Sequence, residues 1–442
     1  MNRILLVLTT FLFLHMNAFA KRSKDLPTSN FHYYNKGKIV DFSGITKVDE
    51  TYHLFYVEHV SDEESDNFIM KQTTSKDLCV WSNKSLINAP FSMDMKNRWG
   101  VFQDKYSKLG KNKGTYLLEA KSTGFILKSF KSDEWSETNF SFSIDALNMG
   151  KVDFPSINWS NSQKCWILTF INIDTSQLII YKSEDLKNWK RIAVMSGVSS
   201  RVAFFEAEKQ SYLLVDNSYI PISFKSNGLI QFDPKIRLDY GSGYLQSLIL
   251  DEQGEYLILG AITSDNYKND DYSLKCTSPK KLTISEKRFH FAPYFGSLIF
   301  DKETVRENKK LIPGLGKNPL SGKHPMSYII DATLDYNDVS SYGFLFKVGS
   351  KSSGYELRYY KKQNIYQCTG GEMAVKPVDS FVQVLAVIDN GFVDFYYNNG
   401  AKVMSISIDY VKKAPKAVLF NQGGELTIKS LSVKPIERNE EK

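Results

Sequence analysis

Short runs of apolar residues, either alternating with polar ones or continuous, recur along the chain between clusters of Gly, Asn, Asp and Ser, while helical periodicity is hard to find. The pattern predicts an all-β protein. One run repeats as an aromatic followed by mainly aliphatic residues: Tyr52-His53-Leu54-Phe55-Tyr56, Tyr116-Leu117-Leu118, Trp166-Ile167-Leu168, Tyr212-Leu213-Leu214-Val215 and Tyr256-Leu257-Ile258-Leu259. Successive copies lie roughly 45–65 residues apart, about the length of a four-stranded propeller blade, so the repeat predicts a five-bladed β-propeller. A second echo, Ser-x-Asp-Leu-x-x-Trp, occurs at Ser75–Trp81 and again at Ser183–Trp189.

The strand pattern lapses between Leu311 and His324, where Pro and Gly punctuate the chain, and a linker is expected over 311–325. The propeller is thus expected over 21–310. From residue 326 to 442, short strands at close spacing, two of them joined by the hairpin signal Asp389-Asn390-Gly391, predict a C-terminal β-sandwich. A chain of 442 residues exceeds one ordinary core, in keeping with two domains.

Residues 1–20 break from this pattern. Arg3, the apolar run Ile4–Leu14 and Ala18-Phe19-Ala20 have the order of a secretory signal peptide, and the run is too short to span a bilayer. Lys21 rather than Cys follows the expected cut, so a soluble periplasmic or extracellular product is expected. The net charge of +7 is spread without a dense basic block, which gives no reason to expect nucleic acid as partner. Cys79, Cys165, Cys276 and Cys368 lie far apart, without the spacing of a zinc or thiol redox site, and are expected as buried free thiols. No metal and no cofactor are expected. The 25 Tyr, 29 Phe and 6 Trp suit both sheet cores and sugar-stacking cleft walls.

Phe31-His32-Tyr33, then Lys36-Gly37-Lys38-Ile39-Val40-Asp41-Phe42-Ser43-Gly44, then Tyr52-His53-Leu54-Phe55-Tyr56 resemble the opening of glycoside hydrolase family 32, which writes FHF, KGWMNDPNG and YHLFYQ. Further matches follow in order at Ser75-Lys76-Asp77-Leu78, Asp239-Tyr240-Gly241, Cys276–Thr283, Val387–Asp389 with Val393–Tyr396, and Gly423–Leu426. The resemblance covers about residues 30–436. It implies the propeller and sandwich already expected, and retaining hydrolysis of β-fructosides in a funnel on the propeller axis. That chemistry needs one carboxylate to attack the anomeric carbon and a second, about 5 Å away, to protonate the leaving oxygen.

Aligned on these motifs, Asp41 takes the place of the family's nucleophile. The stabilising acid of the Arg-Asp-Pro motif is replaced by Phe154 within Asp153-Phe154-Pro155, and the acid/base of the Glu-Cys-Pro-Asp motif by Ser200 within Ser200-Arg201-Val202-Ala203. A serine hydroxyl does not replace a carboxylic acid as proton donor at neutral pH. Sugar-binding positions change too, to Lys38, Val40, Val57 and Met70. Asp41 is read either as a retained nucleophile or as a turn cap. Phe42, Trp99, Asp104, Asp153 and Arg201 are the candidate ligand contacts, with Trp99 alternatively a core residue.

Three functions fit. The first is a non-hydrolytic carbohydrate-binding relative. The second is an active glycosidase pairing Asp41 with a relocated acid such as Asp104, Asp153 or Glu206. The third is a protein-interaction platform.

Overall fold

The computed structural model describes residues 38–437, except 63–64, 83–85, 92–98, 110–113, 122–123, 132–133, 145–150, 199–200, 242–247, 253–254, 264–273, 302, 314–317, 321–323, 348–354, 370, 378–380, 390 and 409–415. The expected signal peptide lies outside them. Every regular element among the described residues is a strand, and no helix is long and apolar enough to cross a membrane.

The first part of the chain forms successive antiparallel sheets. The first joins Lys38–Val48, Thr51–Asp62, Ser65–Ser75 and Leu86–Phe91 in chain order. Sheets over 99–143 and 152–196 follow the same up-and-down order, as do the first four strands of the sheet over 202–237, whose fifth, Ile236–Arg237, pairs back with Ser218–Phe224; a further sheet, the fifth, joins Leu248–Glu252, Glu255–Leu259, Lys280–Ser285 and Arg288–Pro293. The repeated aromatic run marks the second strand of each sheet. Such a strand is covered on both faces, which is why it reads as continuous rather than alternating: Cys165–Asn172 is buried at every position.

The Ser-x-Asp-Leu-x-x-Trp echo is a turn. In both copies the serine hydroxyl donates to the aspartate at 3.0 Å, and the aspartate Oδ1 accepts the backbone N–H groups two and three residues on, at 2.9 and 2.8 Å. Leu78 and Leu186 follow the aspartates with φ of 63° and 62°, and bury their side chains beneath the turn. Asp77 also accepts from Ser297, tying this turn to the segment after the fifth sheet. Burial works to raise the Asp77 pKa, but the Ser297 hydroxyl and three backbone N–H groups outweigh it and hold the carboxyl below its usual 3.8. A depressed folded pKa gives stability present above 3.8 and lost as pH falls through the folded value. Asp77→Ala is therefore expected to cost about 1.5 kcal/mol at neutral pH. In urea melts that difference should shrink steadily on acidification below the usual carboxylate range.

Residues beyond the fifth sheet form two antiparallel sheets, one of seven strands and one of five, closed over a single apolar core that includes Tyr328, Phe344, Tyr366, Phe395 and Leu419. Ile299–Phe300 and Thr304–Leu311 pair with the last strand, Leu426–Glu437. The segment expected to end the first domain thus hydrogen-bonds to the second.

The two groups of sheets share an apolar cluster in which Phe205, Tyr212, Phe289 and Phe291 meet Ile329, Val387, Tyr396 and Val403. Backbones touch as well. Asp239 bridges to Val403, and a Cβ at Gly241 would collide with the Ser405 carbonyl. All four cysteines are free thiols.

Candidate active site

The inner strands of the first four sheets lie side by side: Lys38–Val48 against Trp99–Asp104, the latter against Val152–Ser160, and that against Val202–Ala207. Small residues allow this. A Cβ at Gly44 would strike the Val101 carbonyl and one at Gly100 the Pro155 carbonyl, so only glycine lets these backbones approach.

Near the starts of these strands, Asp41, Phe154 and Arg201 come together. Asp41 sits at a register slip of its strand, between Ile39 and Asp41, and such a bulge re-aims a side chain. Its Oδ2 accepts from Arg201 Nη2 at 2.7 Å and from Ser43 Oγ at 3.4 Å. Arg201 Nη1 donates to the Pro155 carbonyl at 3.4 Å. Phe154 lies where its strand bulges against Thr169–Ile171, with φ of 51°, a left-handed conformation rare outside glycine. Its ring faces the guanidinium, with the central carbon 5.4 Å from the ring centroid. Asp41 and Arg201 are 1% and 6% exposed, so this is a buried ion pair. It is monodentate, since Asp41 Oδ1 and Arg201 Nε have no hydrogen-bond partner among the described residues.

Asp104 and Glu206 are engaged elsewhere. Asp104 accepts Tyr106 N–H at 3.2 Å on one oxygen and Leu109 N–H at 2.6 Å on the other, capping the turn after its strand. Glu206 accepts from Ser160 Oγ at 2.7 Å, Asn161 N–H at 2.6 Å, Ser162 N–H and Oγ at 3.2 and 2.5 Å, and Ser211 Oγ at 3.3 Å. It organises the 160–163 turn. Farther along the same inner strands, on the other side of Arg201, lies a cavity of about 140 Å³.

Residues 33–216 match the family model of the glycosyl hydrolases family 32 N-terminal domain. Over these residues the chain matches family 32. It is 22% identical to the levanase of Bacillus subtilis (strain 168) over 472 aligned positions, covering 90% of this chain and 68% of the levanase. Among solved structures, a fructofuranosidase of Schwanniomyces occidentalis complexed with fructosylnystose superposes with a TM-score of 0.73 at 12% identity, covering 93% of this chain and 98% of the other. An exo-inulinase of Aspergillus awamori gives 0.72 at 13% identity, covering 93% and 99%. At such identities these structures share the fold.

Against the family 32 motifs, the geometry sorts the candidate residues. The chain brings the aligned positions Asp41 and Phe154 together around Arg201, the neighbour of Ser200; Ser200 itself lies outside the described residues. Asp41 is no turn cap, because it lies within a strand and binds a residue 160 positions away. Phe42, expected to contact ligand, is wholly buried in the cluster of Ile39, Leu54 and Leu257, and Trp99 packs with Val57, Phe68 and Met70. Burial removes both from any ligand surface, and it makes Met70 and Val57, aligned with sugar contacts of the family, part of that core. Asp104 is spent on its turn. Asp153 is half-buried at the bulge, paired in register with Ile171. Sequence reasoning missed the ion pair, whose only signal was an arginine directly after Ser200, the position aligned with the family's acid/base.

Proposed function

We propose that this is an exported, non-hydrolytic family 32 protein that binds fructan-type carbohydrate. The observation that carries the reading is the buried 2.7 Å bond between Arg201 and Asp41. Retaining hydrolysis needs Asp41 to face an anomeric carbon with a carboxylic acid across the bond being broken. Here the carboxylate faces a guanidinium, a charge-assisted partner that occupies its Oδ2. An aromatic ring takes the stabiliser's position, where an acid would meet the positive charge that develops on the sugar.

The architecture in this reading is a five-bladed propeller made of the five sheets, with Asp41 on its axis, followed by a sandwich. The pairing of Ile299–Phe300 and Thr304–Leu311 with the last strand favours a boundary just before residue 299. Export rests on the order of residues 1–20. Carbohydrate as ligand rests on the family and on the fructosyl ligand held by the Schwanniomyces relative.

Assays with sucrose, levan and inulin are expected to show no release of fructose above the protein-free rate, while calorimetry detects binding of at least one of them. Turnover that is abolished by Asp41→Ala would overturn the proposal in favour of an active glycosidase.

A further inference from the structure

The cavity beyond Arg201 has the makings of a second ligand site. It is bounded by residues that follow the Asp41–Phe154–Arg201 layer on each inner strand: Ser43–Ile45, Gly100–Gln103, Ser156 with Asn158 and Trp159, and Val202–Glu206. The first two strands run in step, since Gly44 meets Val101 and Gln103 Nε2 donates to the Lys47 carbonyl. The cavity therefore extends away from the Asp41 carboxylate, and neither Asp41 nor Phe154 lines it.

Its lining offers unmet hydrogen bonds of both kinds. Two buried donors, Trp159 Nε1 and Arg201 Nε, have no partner among the described residues. Burying an N–H without an acceptor is costly, so an occupant supplying an oxygen atom to either group, once its side chain shifts toward the cavity, would be favoured. Two amides contribute acceptors: Gln103 spends its Nε2 on Lys47 and Asn158 its Nδ2 on Ser156, and neither amide oxygen accepts a hydrogen bond among the described residues. Tyr106, 46% exposed, stands among the lining side chains as an aromatic contact open to solvent.

Charge argues for a neutral occupant. Arg201 is paired with Asp41, and the other charged groups of the lining, Lys105 and Glu206, are opposite in sign. A volume of about 140 Å³ is close to that of a cavity known to accept one benzene-sized ring. A hydroxyl both donates and accepts, so a ring bearing several hydroxyls can serve indole, guanidinium and amide groups together.

We propose that this axial cavity, on the side of Arg201 away from Asp41, binds a neutral, polyhydroxylated ligand of one ring, such as a single sugar unit. The site is independent of the funnel reading and holds whether or not Asp41 supports turnover.

The test uses the mature protein labelled with 5-fluorotryptophan, with the Trp159 fluorine signal assigned through Trp159→Phe. Titration with fructose is expected to move that signal saturably, with an affinity in the millimolar range expected of so small a ligand. Ala203→Phe, which fills the cavity, and Asn158→Leu, which removes an amide, should each weaken the response at least tenfold, while far-ultraviolet circular dichroism shows the fold intact. No movement of the Trp159 signal with fructose, glucose or glycerol would overturn the proposal, as would a response unchanged in both variants. A response to inorganic phosphate alone would overturn the neutral class.

Discussion

Asp41→Ala is expected to destabilise the protein by about 3–5 kcal/mol, because it leaves the Arg201 guanidinium buried, charged and without its carboxylate. A nucleophile held ready for substrate behaves differently. Active-site acids are commonly kept at some expense of stability, so their removal tends to be neutral or stabilising while turnover disappears. Here the carboxylate already has its partner inside the protein. Arg201→Ala should cost a similar amount by stranding Asp41, which is 1% exposed. The double variant Asp41→Leu/Arg201→Met removes both charges together and should recover most of the loss, since an ion pair replaced by apolar groups of similar volume is often neutral. Urea melts of the parent, Asp41→Leu, Arg201→Met and the double variant give the coupling directly. Single variants as stable as the parent would mean that the pair is not closed in solution, and the non-hydrolytic reading would lose its main support.

The all-β class and the fivefold repeat were legible because they are local. A strand covered on both faces must be apolar throughout, and that run recurs once in each of five successive sheets. The Ser-x-Asp-Leu-x-x-Trp echo was legible for the same reason, since one aspartate oxygen, two backbone N–H groups and a left-handed leucine within seven residues build the turn wherever they occur. Pairing between distant segments was not. Nothing in Thr304–Leu311 announces that its partner, the last strand, lies more than a hundred residues later. Likewise the motifs identified Asp41 and the altered positions Phe154 and Ser200, but alignment cannot say that the adjacent Arg201 turns inward. Glu206 shows the reverse error. Its nearness in sequence suggested a spare acid, whereas the fold spends its carboxylate on five donors, four of them in one turn.

The same ion-pair reasoning applies where the two groups of sheets meet, and there it carries a pH dependence. Lys280 and Asp394 are 5% and 1% exposed in their side chains and form an ion pair at 3.2 Å, with Ser278 donating to the other Asp394 oxygen. Asp239 lies close enough to feel the same lysine. Burial raises the Asp239 pKa above 3.8, while the Lys280 charge and N–H donors from Ser405 and Gly241 oppose that rise. A carboxyl whose folded pKa is raised gives stability present below its unfolded value and lost as pH climbs through the folded one, so burial of Asp239 works against folding at neutral pH. Lys280→Met keeps the length of the side chain but removes the cation from both acids. It is expected to cost about 3–5 kcal/mol at pH 7, the expense of stranding a buried charge. Because protonation relieves stranded carboxylates, the difference from the parent should narrow as pH is lowered toward 4. Paired urea melts at the two pH values, with the denaturant slope watched for loss of a single cooperative transition, measure both effects. A cost that stayed constant or grew on acidification would show that Lys280 acts by packing, and that the charges between the two groups of sheets do not govern their docking.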